Sequence, residues 1–401
     1  MVERSRILYV QPNSEVGGSD IALLRLVACL DRTRFDPVIV LPGDGPLVQH
    51  FKALDAAVHF VPMRQLRTVV SLSHQTSYVT RFWPTVRAVA RLIESENIRF
   101  VHTNSLYCLY GAWAARQVRR PHLWHLREIP PAIPLAKPLY AAMVRRLSKA
   151  VIGMTRNCLT SLFGSAVDAQ GFYVVADGLD LARFDEHMAG PSVRGELGIP
   201  ADIPLIGFVA RLDPWKGLHV FLDAARLVSE EFPQAQFLVA GSAPPGYENY
   251  EASMRERARS LRLERRVHFL GWRYRLDDIP RLMRSLDVFS HTAVQPEPFG
   301  LVLLEAMAAS RPVVASKAGG PLEIVREAET GMLAEPGSVR AHADCLCRLL
   351  SDPARRESMG REGRLRVESQ FSAATFARRL HAIYADIEPV KGASGSTAAA
   401  D

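Results

Sequence analysis

Short apolar runs alternate with longer amphipathic runs along most of this chain, and that alternation limits the fold more than any other feature. "RILYV" (6–10) reads as a strand, followed by the loop "QPNSEVGGSD" and the helix "IALLRLVACL" (21–30). "PVIVL" (37–41), "AVHFV" (57–61), "RFVHT" (99–103), "HLWHL" (122–126) and "AVIGM" (150–154) continue the series, with helical stretches between most of them. The pattern pauses near 176–203 and restarts with "PLIGFVARL" (204–212), "AQFLVAGSA" (235–243), "RVHFLGW" (266–272), "LDVFSHT" (286–292) and "PVVAS" (312–316). Helices are expected near 218–231 and 251–263, and residues 338–386 read as helical. Strands alternating with helices imply parallel sheets covered on both faces. Two such series predict an α/β protein of two doubly wound, Rossmann-like domains, residues 1–175 and 176–370. A C-terminal helix over 371–387 is expected to pack back on the first domain. The small, polar segment 388–401 is expected to be a disordered tail. In such sheets ligands bind beyond the carboxyl ends of the strands, and the cleft between two domains is the expected site.

Composition narrows the class. With 401 residues there is enough chain for two cores, and 48% hydrophobic with 23% charged residues is ordinary globular usage. The formal net charge of +7 suits an anionic ligand, an anionic membrane surface or nucleic acid, and does not choose among them. No nucleic-acid recognition motif accompanies the charge, so nucleic acid is not an expected partner. The N-terminus "MVERSRILYV" lacks a signal-peptide core, and no uncharged apolar stretch approaches a membrane span. Cys29, Cys108, Cys158, Cys345 and Cys347 are odd in number and poorly spaced for zinc, which predicts buried free thiols in a reducing cytoplasm.

Two stretches carry chemistry. In "GFVARLDPWKG" (207–217) an apolar strand runs into Arg211, a proline turn, Lys216 and a helix. Two cations five positions apart across a turn can converge on a diphosphate, Arg as a fork and Lys as a point charge. The same spacing also suits a solvated basic loop. In "QPEPFGLVLLEAMAAS" (295–310), Gly300 stands where a helix should begin, and free N–H groups with the helix dipole favour an anion or sugar oxygens there. Glu305 lies about 7.5 Å further along the axis and can accept hydrogen bonds from a diol. Glu297, just before the helix, can receive a sugar hydroxyl. A lone acid in the apolar "LVLLEAMAA" needs a partner. "HLWHL" can be a strand with His122 and His125 on opposite faces, and His102 and Asn104 close another strand.

"EPFGLVLLE" resembles the E-x7-E motif of retaining GT-B glycosyltransferases, specifically glycosyltransferase family 4. The resemblance extends over nearly the whole chain. "GGSD" (17–20) resembles the family's N-terminal glycine loop, and "HTNSLYCLYGAWAAR" (102–116) and "WHLREI" (124–129) resemble N-domain segments of bacterial members. "ADGLD" (176–180), "GFVARLDPWKG", "FLVAGSA" (237–243), "VHFLGW" (267–272) and "SKAGGPLEIV" (316–325) follow in the expected order. One departure is Ala176, where the family often has Asn.

The resemblance implies roles. Arg211 and Lys216 match the basic pair on the donor diphosphate, Glu305 the acid on the nucleotide ribose, and Glu297 the acid at the transferred sugar. Phe299, Gly300 and Leu301 match the turn touching sugar and phosphate. Gly17 and Gly18 match the loop beneath the phosphates, and Trp272 and Arg273 the bracket around the base. His125 matches an N-domain histidine near the reacting sugar; His102 and Asn104 become candidate acceptor contacts. The implied catalytic set is Glu297, His125, Arg211 and Lys216.

The implied reaction moves a hexose from a nucleoside diphosphate sugar to a hydroxyl of a glycan or lipid-linked acceptor, with retention, in bacterial surface polysaccharide or glycolipid assembly. No cofactor is implied. No Asp-x-Asp motif is present to carry a metal. Arg116, Arg119, Arg120, Arg127, Lys137, Arg145, Arg146 and Lys149, set against the single acid Glu128, read either as ordinary surface cations or as a peripheral contact with an anionic membrane. The expected location is the cytoplasm, with a peripheral place at the inner membrane face as the alternative that such a contact would give. Two rivals remain: a nucleotide-sugar 2-epimerase and a non-catalytic nucleotide-sugar-binding subunit.

Overall fold

The computed structural model describes residues 4–15, 18–65, 72–130, 136–186, 192–271 and 278–388, with the side chains of 18, 19 and 72–75 outside the description. Gly17, Trp272 and Arg273, and the expected tail beyond residue 388, lie outside the described residues. The chain packs as two compact units, residues 1–178 with 374–401, and residues 179–373.

The first unit runs β1 (Ser5–Val10), α1 (Gly18–Ala28), β2 (Phe35–Leu41), α2 (Pro46–Ala53), β3 (Ala57–Phe60), α3 (Leu72–Ser95), β4 (Phe100–Thr103), α4 (Tyr110–Gln117), β5 (His122–Leu126), α5 (Ala136–Leu147), β6 (Ala150–Gly153), α6 (Arg156–Phe163) and β7 (Phe172–Val174). Its seven strands are ordered β3-β2-β1-β4-β5-β6-β7 and pair in parallel. The central strands β4 and β5 are buried along their whole length because both faces are covered. Along β1, Ile7 and Tyr9 enter one core with α1 and α2, while Leu8 and Val10 enter the other with α3 and α4. The edge strand β3 has no buried residue: its two ends are exposed and its two middle residues half-buried.

The second unit runs α7 (Ala182–Glu186), α8 (Val193–Leu197), β8 (Leu205–Val209), α9 (Leu218–Glu231), β9 (Gln236–Ala240), α10 (Glu248–Ser260), β10 (Val267–Gly271), α11 (Asp278–Ser285), β11 (Val288–His291), α12 (Leu301–Ala308), β12 (Val313–Ser316), α13 (Pro321–Ile324), β13 (Gly331–Ala334), α14 (Val339–Ser351) and α15 (Pro353–Gln370). Its parallel strands are ordered β10-β9-β8-β11-β12-β13. β13 is an element the sequence reading lacked. Its "GMLA" is four residues long, opens on Gly and has no β-branched residue, so no periodicity marks it.

The last helix, α16 (Ala373–Ile387), packs in the first unit. Phe376, Leu380, Ile383, Tyr384 and Ile387 join the core that holds Ile7, Tyr9 and Phe100. Strand order reverses direction between β1 and β4 in one sheet and between β8 and β11 in the other. Chain crossovers diverge at those points and leave a crevice at the strands' carboxyl ends. The five cysteines are free; Cys108 and Cys158 are buried, whereas Cys29, Cys345 and Cys347 are only partly so, short of the full burial expected.

Candidate active site

In the second unit, the residues singled out in the sequence gather at the carboxyl ends of β8 and β11. Arg211 and Lys216 follow β8; Glu297 follows β11 and precedes α12. The Lys216 Nζ lies 2.6 Å from a Glu297 carboxylate oxygen, and the same oxygen is 3.4 Å from His291 Nε2. Lys216 Nζ also stands 3.8 Å from the centre of the Trp215 ring. Burial opposes ionisation of Glu297, but Lys216 and then His291 outweigh it and hold the carboxyl down at about 2. Glu297 is therefore a carboxylate across the physiological range.

Backbone geometry fixes both members of this pair. Lys216 is followed by Gly217, φ 75°, where a Cβ would lie 1.9 Å from the Thr292 carbonyl oxygen. Only glycine allows that approach. There Thr292 Oγ1 donates to the Gly217 carbonyl at 2.9 Å and the Val294 N–H to the Trp215 carbonyl at 2.8 Å, tying the β8–α9 turn to the end of β11. Glu297 is held by "SKAGGPLEIV": it bridges to Gly319, and its carbonyl accepts from the Gly320 N–H at 2.7 Å. A Cβ on Gly319, φ 70°, would sit 2.2 Å from the Glu297 oxygen.

Arg211 is about half exposed and lies 3.3 Å from Asp213, which is buried. Burial pushes the Asp213 carboxyl up, against the pull of Arg211 and Lys216. Gly300 occupies the N-cap of α12, where no side chain caps the first turn, and Leu301 opens the helix. Phe299 is buried with its ring 6.4 Å from that of Phe371. Glu305 is 4% exposed, between the buried Leu304 and Ala306.

In the first unit, two buried polar chains meet the carboxyl ends of β1, β4 and β5. In one, Tyr9 and Tyr384 hydroxyls are 3.0 Å apart, the Tyr384 hydroxyl is 2.7 Å from His102 Nδ1, and His102 Nε2 is 3.2 Å from His125 Nδ1. His125 Nε2 is buried and, among the described residues, has no hydrogen-bond partner. Burial, then the neighbouring Arg127 guanidinium, pushes both imidazoles well below their ordinary range. In the other chain, Asn104 Nδ2 donates to Gln11 Oε1 at 2.8 Å, and Gln11 in turn donates to Asp20. Arg127 Nε donates to Asn104 Oδ1 at 2.9 Å, and Arg127 pairs with Asp177, leaving Nη2 unpartnered among the described residues.

Arg127 therefore leaves the set of surface cations in which its sequence neighbourhood had placed it: it is buried and neutralised by Asp177. Glu128 is likewise not a free surface acid, because it accepts from Ser105 Oγ at 2.5 Å and the Leu106 N–H at 2.8 Å. His122 is also buried rather than on an open face, bonded to Thr103 and Ser148 at 2.8 and 3.0 Å. Gln11, Asp177, His291, Asp213 and Tyr384 carry parts of these arrangements and escaped the sequence reading. Asp213 was visible inside "RLDPWKG", and polar Gln11 directly after the apolar β1 was a usable signal. Tyr384 had none, being 282 residues from His102. Among the described residues no group of His, Cys, Asp and Glu side chains is arranged to hold a metal ion.

Two parallel Rossmann-like sheets, with acid, base and glycine-rich turns at the carboxyl ends of the second, define a GT-B glycosyltransferase fold. Residues 191–366 match the family "Glycosyl transferases group 1" and residues 17–154 match "Glycosyl transferase 4-like domain". The chain belongs to these GT-B glycosyltransferases. It is 32% identical over 233 residues to the D-inositol 3-phosphate glycosyltransferase of Corynebacterium glutamicum (strain R), covering 57% of this chain and 55% of the relative. It is 33% identical over 219 residues to a GDP-mannose-dependent phosphatidylinositol monomannoside mannosyltransferase of Corynebacterium glutamicum, covering 52% and 55%. The chain thus spans about half the length of the curated relatives it matches. Anabaena HepE in complex with UDP superposes with a TM-score of 0.80 at 25% identity, over 95% of this chain and 100% of that one.

Proposed function

We propose that this chain transfers a hexose from a nucleoside diphosphate sugar to a hydroxyl of a glycan or lipid-linked acceptor, with retention of anomeric configuration. The observation that carries the reading is the Lys216–Glu297 pair beside Arg211 and the uncapped start of α12, gathered at the carboxyl ends of β8 and β11. Solved complexes of HepE with UDP and with UDP-glucose, at 25% identity, support a nucleotide-sugar donor.

In this reading the bond from the anomeric carbon to the β-phosphate oxygen breaks, and a bond to the acceptor oxygen forms on the same face. The acceptor proton passes to the departing phosphate oxygen. Positive charge grows on the sugar ring and negative charge on the diphosphate. Lys216 leaves Glu297 for the diphosphate, joined by Arg211 and the α12 amides, where single preorganised donors are worth about 3–4 kcal/mol. Glu297, freed of Lys216, accepts sugar hydroxyls and steadies ring charge. Glu305 takes the ribose diol. Two side-chain cations and a helix start supply the charge that a metal would otherwise bring. Exposed Leu139 on α5, together with exposed Arg145 and Arg146, favours a resting contact with anionic lipid.

The test incubates the purified chain with radiolabelled UDP-glucose or GDP-mannose and a bacterial lipid and glycan extract. A labelled acceptor product, formed equally with EDTA, is expected, and the anomeric coupling constant of that product reports retention. Release of free or epimerised sugar alone sinks the transferase reading.

A further inference from the structure

The direction of the buried hydrogen-bond chain in the first unit follows from counting protons. Tyr9 is fully buried, and among the described residues its hydroxyl has one partner, Tyr384. If the chain ran from His125 toward Tyr9, the Tyr9 proton would end in the apolar core with no acceptor, the costly kind of unsatisfied group. Run the other way, each hydroxyl proton finds an acceptor. Tyr9 donates to the Tyr384 oxygen, and Tyr384 donates to His102 Nδ1. A neutral imidazole that accepts at Nδ1 carries its proton at Nε2. His102 Nε2–H therefore donates to His125 Nδ1, and by the same rule His125 carries its proton on Nε2. That nitrogen is buried and, among the described residues, unpartnered, 0% of His125 being exposed.

We propose that Tyr384, supplied by the C-terminal helix, is a positioning residue that fixes His125 as a neutral Nε2–H donor, aimed at an oxygen lone pair of bound substrate. The tautomer claim stands on the hydrogen-bond chain alone; the substrate contact rests on the glycosyl-transfer reading. His125 in this state gives a hydrogen bond and does not remove a proton. An imidazolium there would be buried beside the Arg127 guanidinium, which agrees with the direction of its proton affinity. His102 spends both ring nitrogens inside the protein and acts only through His125.

The test is nitrogen NMR of the full chain labelled in histidine, where the shifts of Nδ1 and Nε2 report which carries the proton. His125 is expected as the Nε2–H tautomer without ligand. In Tyr384→Phe the donor to His102 is lost, and His125 is expected to shift toward Nδ1–H. Tyr9→Phe removes a hydroxyl from the same core but leaves Tyr384 donating, and is expected to keep the native tautomer. A loss of packing alone would treat the two variants alike. In the transfer assay, His125→Gln keeps an N–H at similar reach and is expected to retain at least tenfold more turnover than His125→Ala. The proposal is overturned by Nδ1–H at His125 in the native chain, or by Tyr384→Phe leaving that tautomer in place. Should Tyr384→Phe not fold, the native and Tyr9→Phe spectra decide alone. A native Nε2–H spectrum with no transfer on any substrate would sink the functional reading while leaving the tautomer assignment intact.

Discussion

Lys216 and Glu297 are 81 residues apart in sequence and share one hydrogen bond at 2.6 Å. Each neutralises the other in the ligand-free chain; in the proposed reaction a ligand offers Lys216 phosphate oxygens and Glu297 hydroxyls instead. If Lys216 acts as proposed, Lys216→Ala removes a charge from the departing diphosphate, so turnover should fall by two to three orders of magnitude, about 3–4 kcal/mol of barrier. Circular dichroism should show an unchanged fold, and near-normal turnover would contradict the assignment. Glu297→Gln should also depress turnover strongly, and in the same assay its loss should not be recovered by lowering the pH. With Lys216 and His291 beside it the carboxyl is held at about 2, against burial, so in the ligand-free chain Glu297 is ionised at neutral pH. Both residues were legible in the sequence because cations and acids beside turns at strand ends stand out against apolar runs. Their pairing was not legible, because it depends on how Gly217 and Gly319 bring two loops together.

Strand β5 shows what an element adds. "HLWHL" spells a buried strand, yet two of its five residues are histidines that the fold must keep neutral. Burial holds His122 at about 3, and burial followed by His291 holds His342, on α14, at about 3. In the unfolded chain an imidazole titrates near 6.5. Between 6.5 and 3 the unfolded state binds protons that the folded state refuses, so stability falls as pH drops through that window. Thermal unfolding at pH 5 should therefore occur at lower temperature than at pH 7. His342→Gln, which keeps an amide near Ser290 Oγ at 2.7 Å in the native protein, should flatten that slope; an unchanged slope would contradict it. Most elements were readable from periodicity. β13 was not, and α10 begins at Glu248 rather than near Glu251, because its polar first turn carries no apolar marker.

At the scale of the whole chain, α16 closes the first unit with residues that come after the second. Its five core residues, all under 5% exposed, are each worth about 1.5–3 kcal/mol when fully buried. Their sum is of the order of a domain's entire stability. Ending the chain at Ser372 should therefore unfold the first unit, seen as rapid proteolysis within residues 1–178 while the second unit resists. Equal resistance in both would contradict the role of α16. The sequence announced a terminal helix and two sheets; it could not announce Tyr384 reaching His102, since side-chain pairing across that distance leaves no periodic trace.

The central claim is that Lys216 and its neighbours in the second unit grip a sugar nucleotide. Thermal shift of the native chain and of Lys216→Ala against UDP-, GDP- and ADP-sugars tests it directly. A ligand at a hundred times its dissociation constant stabilises its domain by about 2.7 kcal/mol, a shift of several degrees. One nucleotide series should shift the native protein and leave Lys216→Ala nearly unmoved at the same concentration. No shift with any of the three, or an equal shift in the variant, would contradict the claim.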